Sequence, residues 1–205
     1  MIKILRYPPA LKIFALGLAL GLPLGATTVT PPDLTVLVGE SDYVVRAVVK
    51  AIEVEETAKP GKRAMLHSLV ELEVKDVIAG APPSPLVLRV LGGKKGDLEM
   101  YISGAPRFAV GEEAIFFVQG NGVQVYPLAR MMHGLYPVLK DAAGREYVAR
   151  SNGEPMASTS EVSEPLHAAT RTAAERQAAV ANALTPGDFA AEIRAKAKEA
   201  RAHAK

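Results

Sequence analysis

Two long alternating runs set the outer limits on what this chain can become. In "SDYVVRAVVKAIEVEE", Tyr43, Val45, Ala47 and Val49 alternate with Val44, Arg46, Val48 and Lys50, and β-branched residues dominate. A period of two with such side chains predicts a long strand with one face buried. In "MLHSLVELEVKDVIAG", Leu66, Ser68, Val70, Leu72 and Val74 share one face, while His67, Leu69, Glu71, Glu73 and Lys75 share the other. "KPGKR" (59–63) between them reads as a charged turn. "APPSP" (81–85) ends the second run, because three prolines cannot join a central ladder.

Shorter runs continue the pattern. "LVLRVLGG" is a third strand, "KKGD" a turn and "LEMYI" a fourth strand. "AIFFVQ" (114–119) is apolar at nearly every position and predicts a strand buried on both faces. "GNG" (120–122) is a hairpin signal leading to a sixth strand at "VQVYPLA" (123–129). Two more short strands flank Asp141–Gly144. Strands at this spacing predict a mainly β fold, a small antiparallel OB-like barrel. A short helix precedes it, from about Asp33 to Val38, closed by Gly39.

Both ends of the chain differ from this middle. Lys3, Arg6 and Lys12 precede the apolar run "IFALGLALGLPLG", and small and polar residues follow it. That three-part plan predicts an export signal over residues 1–26, cleaved after Ala26, with an uncleaved anchor as the alternative. The run is short for a bilayer span, so no stable membrane span is expected after cleavage. The barrel domain is then 27–150. Residues 151–184 turn polar, with Pro155 and Pro165, and read as a linker that is partly helical. At 185–205 an alanine-rich helix is expected. Thr185 is placed to cap it, Pro186 to start it, and Phe189, Ile193 and Ala197 to form one narrow stripe.

Composition narrows the function classes. Removing Lys3, Arg6 and Lys12 leaves 21 Lys and Arg against 22 Asp and Glu, so the mature chain is near neutral. No cluster of basic residues points to nucleic acid. The chain has no cysteine, which excludes disulfides, thiolate metal sites and a cysteine nucleophile. With no tryptophan either, the core of this exported protein must come from aliphatic residues and a few aromatics.

Catalytic constellations are absent from the motifs. Glu112 and Glu113 are adjacent, and neighbours on an extended strand point to opposite faces, so they read as a turn entering a strand rather than an acid–base pair. His67, His133, His167 and His203 show no metal-ligand spacing. A Ser41–Asp42–His67 triad is conceivable from residue types alone, but Ser41 and Asp42 are better placed to end the first helix and open the first strand. "GGKKGD" lacks the helix that a phosphate loop needs and reads as a hairpin turn. No catalytic residue, cofactor or metal ligand is therefore assigned.

The segments "SDYVVRAVVKAIEVE", "SLVELEVKDVIAG" and "LVLRVLGG" together resemble the start of the netrin-like or tissue-inhibitor-of-metalloproteinase OB-fold module, with a corner at Val74–Gly80. The later "SGAPRFAVGEEAIFFV" and "YPLARMMHGLYPV" resemble a group of small bacterial exported proteins; together the resemblance covers about residues 33–149. It implies the fold and the use of rim loops for binding. The inhibitors' chelating N-terminal cysteine has no counterpart here, so that mechanism carries over to no residue. The expectation is an exported non-catalytic binding module, periplasmic or secreted. Its partner would be a protein, an exported peptidase being one class, or a polysaccharide, met through Lys94, Lys95 and Arg107. A hydrolase with scattered groups around His67 and His133, and a structural envelope component, are the alternatives.

Overall fold

In the computed structural model, which describes residues 31–57, 64–166 and 171–203, helix α1 (Leu34–Glu40) starts where the sequence provides a cap. The Asp33 carboxylate accepts the Val36 N–H at 2.8 Å, which satisfies one of the free donors of the first turn. The expected export signal and the charged turn at 59–63 lie outside the described residues. Eight strands follow in chain order: β1 (Tyr43–Thr57), β2 (Met65–Gly80), β3 (Leu86–Leu91), β4 (Gly93–Lys95), β5 (Leu98–Met100), β6 (Glu113–Val118), β7 (Leu135–Lys140) and β8 (Glu146–Val148). The chain ends in α2 (Ala173–Asn182) and α3 (Pro186–His203). No helix among the described residues is long and apolar enough to cross a membrane.

Six strands form one antiparallel sheet in the order β3-β2-β1-β6-β7-β8, and β4 pairs with β5 in a separate ribbon. The fold is thus mainly β, as expected. The pairing does not return from β8 to β3, so the sheet is open rather than a closed barrel.

Each face of the sheet carries its own core. On one face Val44, Ile115, Phe117, Tyr136 and Val148 meet Leu34 and Leu37 of α1 and Phe189 and Ile193 of α3. The Phe189 ring lies 4.9 Å from Tyr136 and 6.2 Å from Phe117. The narrow stripe on α3 therefore docks on the sheet. Its start is as expected: Thr185 Oγ1 accepts the Asp188 N–H at 3.2 Å and donates to the Asp188 carboxylate at 2.7 Å. On the other face Val45, Ala47, Val49, Val70, Leu88 and Phe116 form a second core under the curl of β1, β2 and β3.

Bulges set that curl. Val49 faces Leu72 but Ala51 faces Glu71, so Lys50 is an extra residue in β1. The extra residue reverses which face the following side chains occupy. Odd-numbered Val45, Ala47 and Val49 give way to even-numbered Ile52 and Val54, and the apolar face continues past a point where simple alternation would have turned it outward.

Two expectations need correction. Residues 123–129 are not a strand; only Leu128 bridges back to Val118, and Val123 is 90% exposed. Gly120 and Gly122 take left-handed conformations, and Gln124 N–H bonds to Gly120 O instead of across a hairpin. The Asn121 side chain then turns to β3, accepting from Arg89 N–H at 3.0 Å and donating to Val87 O at 2.8 Å. An amide side chain thereby satisfies backbone groups on the outer edge of β3.

The second correction concerns the stretch 151–184, read as a partly helical linker: α2 supplies the helix, but the remainder packs rather than standing free. Met156 and Val162 are fully buried in the helix-side core, and Pro155 bridges to Ala149. Buried Glu154 pairs with Arg171 and Arg176 at 2.9 Å each, which ties α2 down although none of its own residues is buried. These few contacts are spaced too irregularly to give a periodic signal.

Because α3 completes a core, truncating its central ring is costly. Phe189→Ala is expected to lower unfolding free energy by about 3–5 kcal/mol, measured by urea denaturation. A loss below about 1 kcal/mol would mean that the ring is not packed as described.

Candidate functional site

The curl on the helix-free side leaves a groove of about 320 Å³. Its floor is apolar: Ile52 and Val54 from β1, Val70 from β2 and Val90 from β3. Ile52 and Val54 reach it only because of the extra residue at Lys50.

Two glycines allow the first wall. Gly92 and Gly93 have φ of +112° and +140°, and a Cβ on Gly93 would sit 2.7 Å from Ser68 Oγ and 3.0 Å from Val54. The missing side chains let the β4–β5 ribbon fold closely over the end of β1 and β2. Ser68 Oγ donates to Gly92 O at 2.8 Å, and Gly92 N–H donates to Leu66 O at 2.7 Å.

The opposite wall is the segment 101–108, held by aromatic packing. Phe108 lies 6.2 Å from Phe116 and stacks at 6.5 Å on Tyr126. The Tyr126 hydroxyl donates to Pro106 O at 2.7 Å, and burial pushes its pKa far above the ordinary phenol value. Arg107 places its guanidinium over the Tyr101 ring, 4.2 Å from the centroid. Such a contact is worth about 0.5–1 kcal/mol at an exposed site.

Lys94 and Arg107 are the charged residues lining this groove, and no carboxylate lines it. Neither forms an ion pair among the described residues. The groove is therefore apolar within and cationic at its edge. Of the three cations singled out from the sequence, Lys94 and Arg107 come together at one opening. Lys95 is exposed beside them but does not line the groove, since neighbours along a strand face opposite ways. Tyr101, Phe108 and Tyr126 escaped sequence reasoning. Their concentration at one place, in a chain with six tyrosines and five phenylalanines, was the available signal.

Of the other candidate residues, Glu112, Glu113, Ser41 and Asp42 have structural side-chain partners. Glu112 accepts the Ala109 N–H at 2.8 Å in the turn before β6. Glu113, half-buried, is ion-paired with Arg46, which also holds Glu146 at 2.7 Å. The two neighbouring carboxylates thus serve different contacts. Ser41 Oγ donates to Leu37 O at 2.6 Å and Asp42 accepts the Gly120 N–H at 2.7 Å, so neither is directed at His67. The His67 backbone is in register with Glu55 and Leu91, and its buried Nδ1 has no hydrogen-bond partner among the described residues, while His133 sits in a 3-10 turn (Met131–Gly134) ahead of β7. His167 lies outside the described residues. No group of three or more His, Asp or Glu among the described residues is placed to hold a metal ion.

No protein family model, curated protein or solved structure matches this chain, so the reading of the groove rests on its own residues.

Both central histidines are held below the ordinary imidazole range, His133 by burial and then by Arg150, and His67 by burial and then by Arg89. A lowered folded-state pKa means that the fold favours the neutral ring. That stability is complete above the unfolded histidine value of about 6.5 and is lost as pH falls from there through the lower folded-state value. The melting temperature is expected to drop between about pH 7 and pH 5, and to drop less in His133→Gln. An unchanged slope in that variant would remove His133 from the account.

Proposed function

We propose that the protein is an exported, non-catalytic binding module that uses this groove to hold a partner protein. The observation that carries the reading is an apolar groove edged by two cations that form no ion pair among the described residues, with large apolar side chains left exposed on its walls. Tyr101, which lines the groove, is 49% exposed, and Leu98 on β5 of the wall ribbon is 50% exposed. Apolar groups left in water around one opening mark a protein contact surface. A sugar-binding site would present many convergent polar groups, whereas this groove offers few. A protein is therefore favoured over a polysaccharide.

The OB-like and netrin-like reading fits the same proposal. The strongly curled strands β1, β2 and β3, with loops gathered at one mouth, are how such modules present a binding surface. An exported peptidase is the partner class that the resemblance favours. Export itself, to the periplasm or beyond the cell, is proposed from the charged and apolar N-terminal segment.

Immobilised protein should retain a specific partner from the native exported fraction, and Lys94→Glu/Arg107→Glu should reduce retention at least tenfold. The melting temperature should fall by no more than a few degrees, since both side chains are exposed and the variant loses only the Arg107–Tyr101 contact and sets a carboxylate at position 94 opposite Glu99. Equal retention by the double variant would remove the groove from partner binding.

A further inference from the structure

The groove also specifies what part of a partner it would take, an inference that rests on reading it as the binding face. We propose that its occupant is an acidic peptide segment of the partner protein, with one mid-sized apolar side chain entering the groove and flanking carboxylates meeting Lys94 and Arg107.

Size is the first argument. About 320 Å³ lies at the lower end of the roughly 300–1,000 Å³ that whole small-molecule ligands occupy, and the site is an open groove rather than an enclosed cavity. One or two side chains fill such a space; a large cofactor does not.

Charge is the second. Neither lining cation has an ion-pair partner among the described residues; Glu99 stands across the β4–β5 ladder from Lys94 and is engaged with the Tyr101 hydroxyl, so Arg107 is the more open of the two to an incoming carboxylate. Arg107 is already positioned over the Tyr101 ring, its Cζ 4.2 Å from the centroid. A guanidinium offers five N–H donors, two of which match the two oxygens of a carboxylate. A cation fixed before binding loses less side-chain freedom when its partner arrives.

The third argument separates a peptide from a small amphiphile. A fatty acid lying in the groove would bring one carboxylate to one end of it. A chain crossing the mouth can set carboxylates on either side of an apolar side chain that reaches the floor between Val54 and Phe108, and so meet Lys94 on one wall and Arg107 on the other. Apolar anchoring with charges at the rim is the usual division of labour at protein interfaces.

The test is an NMR titration of the isotopically labelled full chain with three probes. One is a capped pentapeptide with a central leucine between two glutamates, one the same peptide with lysines in place of the glutamates, and one decanoate. The acidic peptide is expected to shift the amides of Gly92, Gly93, Lys94, Arg107 and Phe108 and to bind at least tenfold more tightly than the lysine peptide. Replacing its leucine by glycine should abolish the shifts. In Lys94→Glu/Arg107→Glu the preference between the two peptides should reverse. Equal binding of both peptides would overturn the acidic occupant while leaving the groove as a binding face. Decanoate saturating the groove while neither peptide moves it would overturn the peptide and assign a small amphiphile. If no probe shifts these amides, both the occupant and the binding face are overturned.

Discussion

Phe116 and Phe117 are neighbours on β6 and point to opposite faces of the sheet, each essentially without solvent exposure. A strand with consecutive large aromatic residues cannot leave either face wet. Burying each ring is worth about 1.5–3 kcal/mol, so both faces must be covered for the fold to be stable. Helices cover one face. The strands themselves, curling with the loops 101–108 and 119–128, cover the other. The rest of the architecture follows from meeting both demands in one chain without a disulfide or a tryptophan.

The helix-side solution joins the two ends of the described chain. Leu34 and Leu37 come from α1, before the first strand, and Phe189 and Ile193 from α3, after the last. The C-terminal helix is accordingly part of the core rather than an appendage, and Asp76 of β2 reinforces it by pairing with Arg194 at 2.6 Å. The opposite face has no helix. Its cover comes from loops pinned by specific contacts, Tyr126 to Pro106 and Asn121 to β3. Loops can close a core without filling the far end of the curl, and the groove is the space that remains. Structure and site are linked in this way: the face lacking a helix is the face with an opening.

Much of this was legible in the sequence, and what was not has identifiable physical causes. The alternation of β1 and β2, the double burial of "AIFFV" and the cap at Thr185 are local signals, and each corresponds to an observed element. The extra residue at Lys50 is not local. It depends on how β1 registers against β2, so the faces of Ile52 and Val54 could not be assigned by counting in twos. "GNG" has the composition of a hairpin turn, but the Asn121 amide found backbone partners on β3, 34 residues earlier in the chain at Val87. The polar stretch after Arg150 packs through only a few isolated side chains, with Met156 and Val162 fully buried, so its composition pointed to solvent while its contacts did not. At the site, Lys94 and Arg107 stood out as loop cations. Their meeting at one groove depends on the Gly92–Gly93 fold-back and the Phe108–Tyr126 stack, both of which are tertiary.

The most direct test of the central claim is hydrogen–deuterium exchange of the full chain, free and with its captured partner bound. Slowed exchange is expected only in the segments around the groove: Gly92–Met100, Tyr101–Val110 and Asn121–Tyr126. Protection on α2 and α3 with none in those segments would contradict it and move the working surface to the opposite face of the sheet.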